Sequence, residues 1–234
     1  KLLVSEYRDL IDAEFALNTD GGFIVLQDGE AQAFVMQTSE KIYVSYLFEA
    51  VDPGGHSSLP RKDSAISRLS RTLTDLQEFR FPISLNETSR AFIRLWAPMA
   101  PEDAQPVLRA ILEDPSDPEL SRKLVNWPYY NAIARTTCVA TMLDAGHAEN
   151  ALPQTARATV NCRVVPQSSA EETENVLRAM AAKQGVTVTQ IAPTTPSPPS
   201  PLTPAVVDPV TEVAQELWPG ITVIPEMSTG ATDG

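Results

Sequence analysis

The chain has 234 residues, of which 43% are hydrophobic and 21% are charged, and this composition is typical of a globular protein. Its 30 acidic and 18 basic residues give a formal net charge of -12, which argues against nucleic acid or an anionic membrane surface as a partner. No stretch approaches the roughly 20 apolar residues that a membrane-spanning helix needs. The compartment stays open between the cytoplasm and the periplasm.

The first third of the chain predicts a helix end followed by strands. Residues 1–11 resemble the last turns of a helix, and the apolar segments EFALN and GGFIVL read as two short strands. Residues 41–49 alternate strictly between apolar and more polar side chains, which predicts a half-buried strand. After the turn-rich DPGGHSSLP, apolar residues recur at helical spacing and predict a helix over residues 63–79.

The middle of the chain predicts a second set of elements. Weaker patterns indicate a helix near residues 101–112 and an aromatic segment near residues 127–130. Strands are predicted at residues 136–143 and 157–165, and their alternation favours an antiparallel pair. Cys138 and Cys162 lie in these strands, where we expect each to act as a small hydrophobic residue, since two cysteines make no disulfide scaffold.

A capped helix and a strand complete this unit. Ser168 and Ser169, followed by Glu171 and Glu172, give a double capping-box signal, and VTVTQIAP reads as the next strand. The order strand, helix, two strands, helix, strand predicts an α+β sandwich of ferredoxin-like type. The prolines of TTPSPPSPLTP then predict a stiff connector, and a final helix and strand are expected to pack with residues 1–35.

Few residues in this chain could form a catalytic site without help. His56 and His147 are the only histidines, which excludes a site built from several imidazoles of this chain. A Ser-His-Asp triad using His56 and a neighbouring serine is disfavoured, because adjacent residues rarely reach the required geometry. Taken alone, His56 would be read as a solvated loop residue.

Four segments, in the same order, resemble the zinc-dependent aminoacylase, acetylornithine deacetylase and carboxypeptidase G family. They are DAEFALNTDGG, GGHSSLPRKDSAI, GHAENALPQTARATVNCRVVP and STGATDG, and together they span nearly the whole chain. The resemblance implies an α/β catalytic domain with two zinc ions around a bridging water, into which a ferredoxin-like lid domain is inserted. It also implies a homodimer formed through the lid and hydrolysis of an amide bond beside a free carboxylate.

Applied to this chain, the resemblance implies a partial catalytic domain at residues 1–38 and 196–234, with the lid at residues 39–195. Asp20 matches the family's carboxylate ligand of zinc, although Asp12 and Glu14 remain alternatives. Cobalt or manganese would accept similar ligands. The substrate would be a dipeptide or an N-acyl amino acid, and we expect the 234-residue chain alone to be inactive, because the remaining motifs of the family have no match in it.

The same resemblance assigns the substrate contacts. His56 would cross to the partner's active site and donate to the oxygen that becomes negative in the transition state. Asn150 and Arg163 would help to bind the substrate across the dimer, and a loop containing Thr229, Gly230 and Thr232 would hold its carboxylate through backbone N–H groups. His147 is read as structural. Two rival interpretations are a non-catalytic dimerising module related to the lid and an unrelated α+β binding domain.

Overall fold

The computed structural model describes residues 2–18 and 21–230. Within these ranges, no helix is both long enough and apolar enough to cross a membrane. The strands are β1 (Phe23–Gln27), β2 (Glu30–Glu40), β3 (Ile42–Val51), β4 (Gly55–His56), β5 (Thr137–Ala145), β6 (Ala151–Leu152), β7 (Thr155–Val164), β8 (Thr187–Gln190) and β9 (Thr222–Ser228). The α-helices are α1 (Leu2–Glu6), α2 (Ala65–Glu78), α3 (Glu87–Trp96), α4 (Gln105–Glu113), α5 (Pro118–Lys123), α6 (Pro128–Ala134), α7 (Ala170–Ala182) and α8 (Pro204–Leu217).

Four antiparallel strands form the predicted ferredoxin-like sheet, in the order β5-β7-β3-β8. The chain enters it as β3, α2, β5, β7, α7 and β8, and both helices contribute to one core with β3 and β7. The predicted alternation in β3 is confirmed. Tyr46 and Phe48 are fully buried, whereas Tyr43 on the opposite face is 53% exposed. The sheet therefore has one face covered by helices and one open face.

The helices of this sandwich start where the sequence predicts. The Ser169 hydroxyl accepts from the Glu172 backbone N at 3.0 Å, and the Glu172 carboxylate accepts from the Ser169 backbone N at 2.9 Å. This reciprocal capping box satisfies two N–H groups that the first turn of α7 leaves unpaired. Ser64 caps α2 by accepting from Ser67 N. The capping prediction is confirmed.

A second sheet joins the two ends of the chain. Its order is β1-β2-β9, with β2 antiparallel to β1 and parallel to β9. The expected association of the final strand with the first residues is therefore confirmed. The strand prediction for EFALN is wrong: residues 14–18 join none of the sheets, and Leu17 is 68% exposed. The domain boundaries given above stay a prediction.

Helices α3 to α6 form a block that the sequence predicted only in part. The helix near residues 101–112 is confirmed as α4, but α3 and α5 were not predicted. This block packs on the second sheet, where its core includes Ala33 of β2 and Met227 of β9. The Tyr129 hydroxyl donates to the Glu226 carboxylate at 2.6 Å, and burial, together with that carboxylate, raises the pKa of Tyr129. The block thus connects the two sheets of the chain.

The two cysteines are joined by a disulfide, so the expectation of two separate hydrophobic residues is wrong. Cys138 on β5 and Cys162 on β7 are directly opposed in the strand register, with their Cα atoms 4.1 Å apart. Cys162 is also fully buried in the sandwich core. The register between β5 and β7 brings the two cysteines together, and their separation of 24 residues in sequence does not predict that register. The bond anchors β5, an edge strand, to its neighbour.

Lys41 joins β2 to β3 and is only 1% exposed. Its backbone N donates to the Ser228 carbonyl at 3.1 Å, and its Nζ donates to the Arg135 carbonyl at 2.6 Å. Burial lowers the pKa of Lys41 to about 7, and the charges of Arg163 and Arg135 act in the same direction. A lysine in this position is therefore close to half-charged at neutral pH.

Replacing Lys41 with methionine is expected to flatten the dependence of stability on pH. The pKa of Lys41 is lower in the folded chain than in the unfolded chain, so between pH 7 and about 10 the unfolded chain binds more protons and stability rises with pH. The slope approaches about 1.4 kcal/mol per pH unit. Urea unfolding at several pH values would measure it, with Lys123→Met as the exposed control. Parallel curves for the wild type and Lys41→Met would contradict the expectation.

Candidate functional site

The loop carrying His56 is shaped by the residues before it. Asp52 is buried, and its carboxylate accepts from the Gly54 backbone N at 2.8 Å. Gly54 has a φ of 76°, and a Cβ there would lie 3.0 Å from the Leu152 carbonyl oxygen. A larger residue would be strained by this conformation and would clash with β6. The glycines thus let the chain turn sharply after β3 and present His56.

His56 and Asn150 are brought together at this end of the sandwich. His56 pairs with Ala151 in the short β4-β6 ladder, and the Ser57 backbone N donates to the Asn150 carbonyl at 2.9 Å. Both residues are exposed. The ladder therefore holds the His56 side chain beside the Asn150 loop while leaving both open to a ligand.

Ser58 determines which nitrogen of His56 can donate. The Ser58 backbone N donates to His56 Nδ1 at 3.2 Å, and the Ser58 hydroxyl lies 2.8 Å from the same atom. A backbone N–H can only donate, so Nδ1 is the acceptor. Neutral His56 then carries its proton on Nε2, and this nitrogen makes no hydrogen bond to the residues that the structure describes. Sequence reasoning did not single out Ser58 for this role.

Arg163 lies at the other end of β7, on the open face of the sheet. Its guanidinium carbon lies 4.6 Å from the centre of the Tyr43 ring on β3. The prediction that Arg163 points away from the apolar face is confirmed, since its neighbours Cys162 and Val164 are fully buried. Tyr43 supports the guanidinium by cation–π contact and leaves its N–H groups available to an anion.

The loop after β9 lies at the same end as Arg163. The Ser228 carbonyl accepts from Lys41 N, two residues before Tyr43, and the Ser228 hydroxyl accepts from Gly230 N at 3.2 Å. Thr229 and Gly230 are half-buried. Thr232 and Asp20, the two other residues predicted for the site, lie outside the described residues.

The predicted side chains therefore form two groups. Asn150 and His56 lie where β7 begins, near Thr155, whereas Arg163 lies near its end. At about 3.3 Å per residue, the eight steps from Thr155 to Arg163 span roughly 26 Å. One dipeptide-sized ligand cannot touch both groups of the same chain. The resemblance paired Asn150 with Arg163, and nothing in the sequence indicated that most of β7 separates the two residues.

A metal site needs several ligating side chains close together. In the part of the chain that the structure describes, no three His, Cys, Asp or Glu side chains are grouped so that they could hold a metal ion. Asp12 and Glu14, the alternatives to Asp20, are exposed. His147 is exposed in the loop before β6. The described residues thus form no complete metal shell.

Comparison with known families gives the fold its context. The peptidase dimerisation domain of the M20 peptidases matches residues 38–189, well over half of the chain. The chain belongs to the M20 peptidase dimerisation family. The interpretation as an unrelated α+β binding domain is therefore wrong. The matched region contains the ferredoxin-like sandwich, the His56 loop and Arg163, as well as the helical block between α2 and β5.

Curated M20 relatives extend the match toward both ends of the chain. Human PM20D1, named an N-fatty-acyl-amino acid synthase/hydrolase, is 28% identical over 222 residues, which cover 92% of this chain and 44% of that protein. Carboxypeptidase S of Saccharomyces cerevisiae is 27% identical over 167 residues, covering 65% of this chain and 29% of that protein. The chain thus spans less than half of the length of these relatives.

A solved M20 structure shares the fold. The M20 family metallo-carboxypeptidase Sso-CP2 of Sulfolobus solfataricus aligns with a TM-score of 0.54 and 17% identity, over 87% of this chain and 55% of that one. The expected combination of a lid sandwich with part of a second, mixed sheet is therefore confirmed. The homologues are M20 metallopeptidases and hydrolases, a family that implies the use of a divalent metal.

Proposed function

We propose that this chain is the dimerising lid, with the adjoining part of the catalytic domain, of a metal-dependent hydrolase. Its substrates are dipeptides or N-acyl amino acids, and the bond cleaved is an amide next to a free carboxylate. The observation that carries the proposal is the division of the polar side chains into two groups at opposite ends of β7. Such a division suits an active site shared by two subunits, each of which contributes one group.

In this proposal His56 acts on the carbonyl of the partner's substrate. Its Nε2–H is free because Ser58 occupies Nδ1, so it donates to the oxygen that gains negative charge when the tetrahedral intermediate forms. Asn150 lies beside it and contributes amide hydrogen bonds to the same substrate. The short ladder of β4 and β6 holds both residues in position before the substrate arrives.

Arg163 and the loop after β9 then serve the site of their own chain. The guanidinium, supported by Tyr43, would grip the substrate carboxylate with two parallel hydrogen bonds. The backbone N–H groups of Thr229 and Gly230, with the predicted contribution of Thr232, would hold the same carboxylate. A free carboxylate beside the scissile amide is thus the feature that this part of the site would select.

The strand β5 is the proposed contact between subunits. It forms one edge of the sandwich sheet, and Val139, Met142 and Leu143 are each 58–69% exposed on it. An edge strand with apolar side chains readily pairs with another strand. Pairing of β5 with its copy around a twofold axis would continue the sheet from one subunit to the other. The disulfide to β7 keeps this strand in register for that contact.

Zinc is the metal we propose, with cobalt or manganese as alternatives. Asp20 is the ligand that this chain would supply, and the carboxylate oxygen is a donor that zinc accepts. The bound metal would supply an activated water and withdraw electron density from the carbonyl. All other contributions described here come from side chains that bind, orient or donate to the substrate. We also propose that the 234-residue chain has no activity alone.

Mixing two inactive variants of the full-length protein tests the shared site. His56→Ala and Arg163→Ala homodimers are each expected to be almost inactive. After joint unfolding and refolding, half of the dimers contain one chain of each kind, and each such dimer has one intact site, so about a quarter of wild-type activity should return. No recovery in a mixture that contains proven heterodimers would show that both residues serve one chain's site. Absence of activity in the wild-type full-length protein would favour the non-catalytic module.

A further inference from the structure

A cavity of about 520 Å³ lies between the end of α2 and the first residues of β5, apart from the proposed active site. This volume is within the range of ligand pockets, about 300–1,000 Å³. Its apolar wall includes Leu73, Leu76, Phe79, Phe81, Val125 and Val139. Its polar wall includes Arg80, Asn131 and Arg135. None of the residues assigned to the hydrolytic site lines it.

Arg135 is a buried cation whose partners are all neutral. The side chain is 1% exposed, its Nη1 donates to the Phe81 carbonyl and the Ser121 hydroxyl, and its Nη2 donates to the Ser121 carbonyl. Its Nε has no hydrogen-bond partner. A buried charge is costly unless an anion accompanies it, and a buried donor is costly unless it is used. Arg135 therefore places an unbalanced positive charge at the wall of the cavity.

Two neighbours make the same part of the cavity suited to an anion. Arg80 is exposed on the cavity wall, and its charge adds to burial in lowering the pKa of Arg135 to about 10. The Asn131 side-chain oxygen is buried without a partner, and its amide can turn to offer N–H groups instead. Lys41 binds the Arg135 carbonyl from the other side. Among the described residues, no salt bridge joins Lys41, Arg80 or Arg135 to a carboxylate.

We infer that this cavity binds an amphipathic monocarboxylate, with its carboxylate between Arg80 and Arg135 and its acyl chain along the apolar wall. The charges of the two guanidinium groups, neither of which has a carboxylate partner among the described residues, account for an anionic head. The leucine and phenylalanine side chains account for an aliphatic tail, because transfer of such a tail from water to an apolar wall is favourable. The site does not depend on the proposed hydrolytic chemistry, since no residue assigned to the substrate or the metal lines it.

Isothermal titration calorimetry of the full-length protein with decanoate tests this site. Decanoate should bind saturably, whereas acetate has only the head and decanol only the tail, so each should bind at least about tenfold more weakly. Inorganic phosphate and decyl phosphate test the head group. Tighter binding of either phosphate than of decanoate would overturn the assignment of a carboxylate ligand.

Two variants separate this role from a structural one. Arg80→Gln, on the exposed side of the cavity, should weaken decanoate binding about tenfold, while Arg122→Gln, on α5 and outside the cavity lining, should leave it unchanged. Asn131→Asp would place a carboxylate of the chain itself in the cavity. It should raise the thermal unfolding temperature without ligand and abolish decanoate binding, because Arg135 then has an internal anion.

Three further results would overturn the inference. The first is equal binding of decanoate and decanol, and the second is unchanged binding by Arg80→Gln. The third concerns a second copy of the chain, because Val139 lies both in the cavity wall and on the β5 edge. Titration at several protein concentrations would show whether decanoate binds only to monomers and is excluded as dimers form. In that case the partner subunit occupies the cavity. None of these results would change the outcome of the mixed-dimer test, which concerns the hydrolytic site.

Discussion

Replacing His56 with alanine in the full-length protein is expected to lower kcat by about 10²–10³-fold, with the dimer intact. The reason is that one preorganised donor to a developing oxyanion supplies roughly 2.7–4 kcal/mol of transition-state stabilisation. The effect falls on kcat because the neutral carbonyl of the substrate makes a weaker hydrogen bond than the intermediate does. Steady-state kinetics on an N-acyl amino acid, with light scattering for the dimer, would measure both quantities.

His147→Ala is the matched control for this variant. It is the other histidine of the chain, is also exposed, and lies in the loop before β6 without a proposed substrate contact. Its kcat should stay close to that of wild type. Ser58→Ala should fall between the two, because the backbone N of residue 58 still donates to Nδ1 while the hydroxyl contact is lost. If His56→Ala raised KM and left kcat unchanged, His56 would not be the donor to the oxyanion.

Replacing Met142 with lysine is expected to yield a monomer with at least about 100-fold lower activity. Met142 is 68% exposed on β5, and a lysine there would place two like charges close together when the strand pairs with its copy. Because each proposed site takes His56 from the partner, separation of the subunits removes the oxyanion donor from every site. Analytical ultracentrifugation and steady-state kinetics on the same preparation would measure the two losses together.

Ile191→Lys serves as the control for a charge on the sandwich sheet. Ile191 is 53% exposed and follows β8, the opposite edge of the same sheet. This variant should remain dimeric and active. A Met142→Lys protein that is monomeric but fully active would refute the shared active site, and one that is still dimeric would place the subunit contact elsewhere. Circular dichroism of both variants would show whether the fold is retained.

The elements that the sequence predicted well are those whose pattern reflects a local cause. The alternation of residues 41–49 follows from a strand that is buried on one face, so it is readable without knowing its partners. The capping residues Ser169 and Glu172 act within one helical turn, and their effect is equally local. The Asp-Pro-Gly-Gly-His turn, with its positive-φ glycines, belongs to the same class.

The elements that the sequence missed depend on partners from distant parts of the chain. EFALN has the apolar pattern of a strand, but a strand needs a neighbour to pair with, and residues 14–18 join none of the sheets. The helix α3 was missed because its buried residues face β9, more than 120 residues later in the chain. Cys138 and Cys162 pair because of the register between β5 and β7, which is a tertiary property.

By itself, the sequence predicted the order of elements in the ferredoxin-like sandwich and named the polar residues that are proposed for the site. Only the tertiary structure decided that His56 and Asn150 lie where β7 begins, whereas Arg163 lies near its end. It also decided that Arg135 and Lys41 are buried without a carboxylate partner in the described residues. The physical reason is that residue type and local pattern report chemistry and periodicity, whereas distance and desolvation arise only when remote segments pack together.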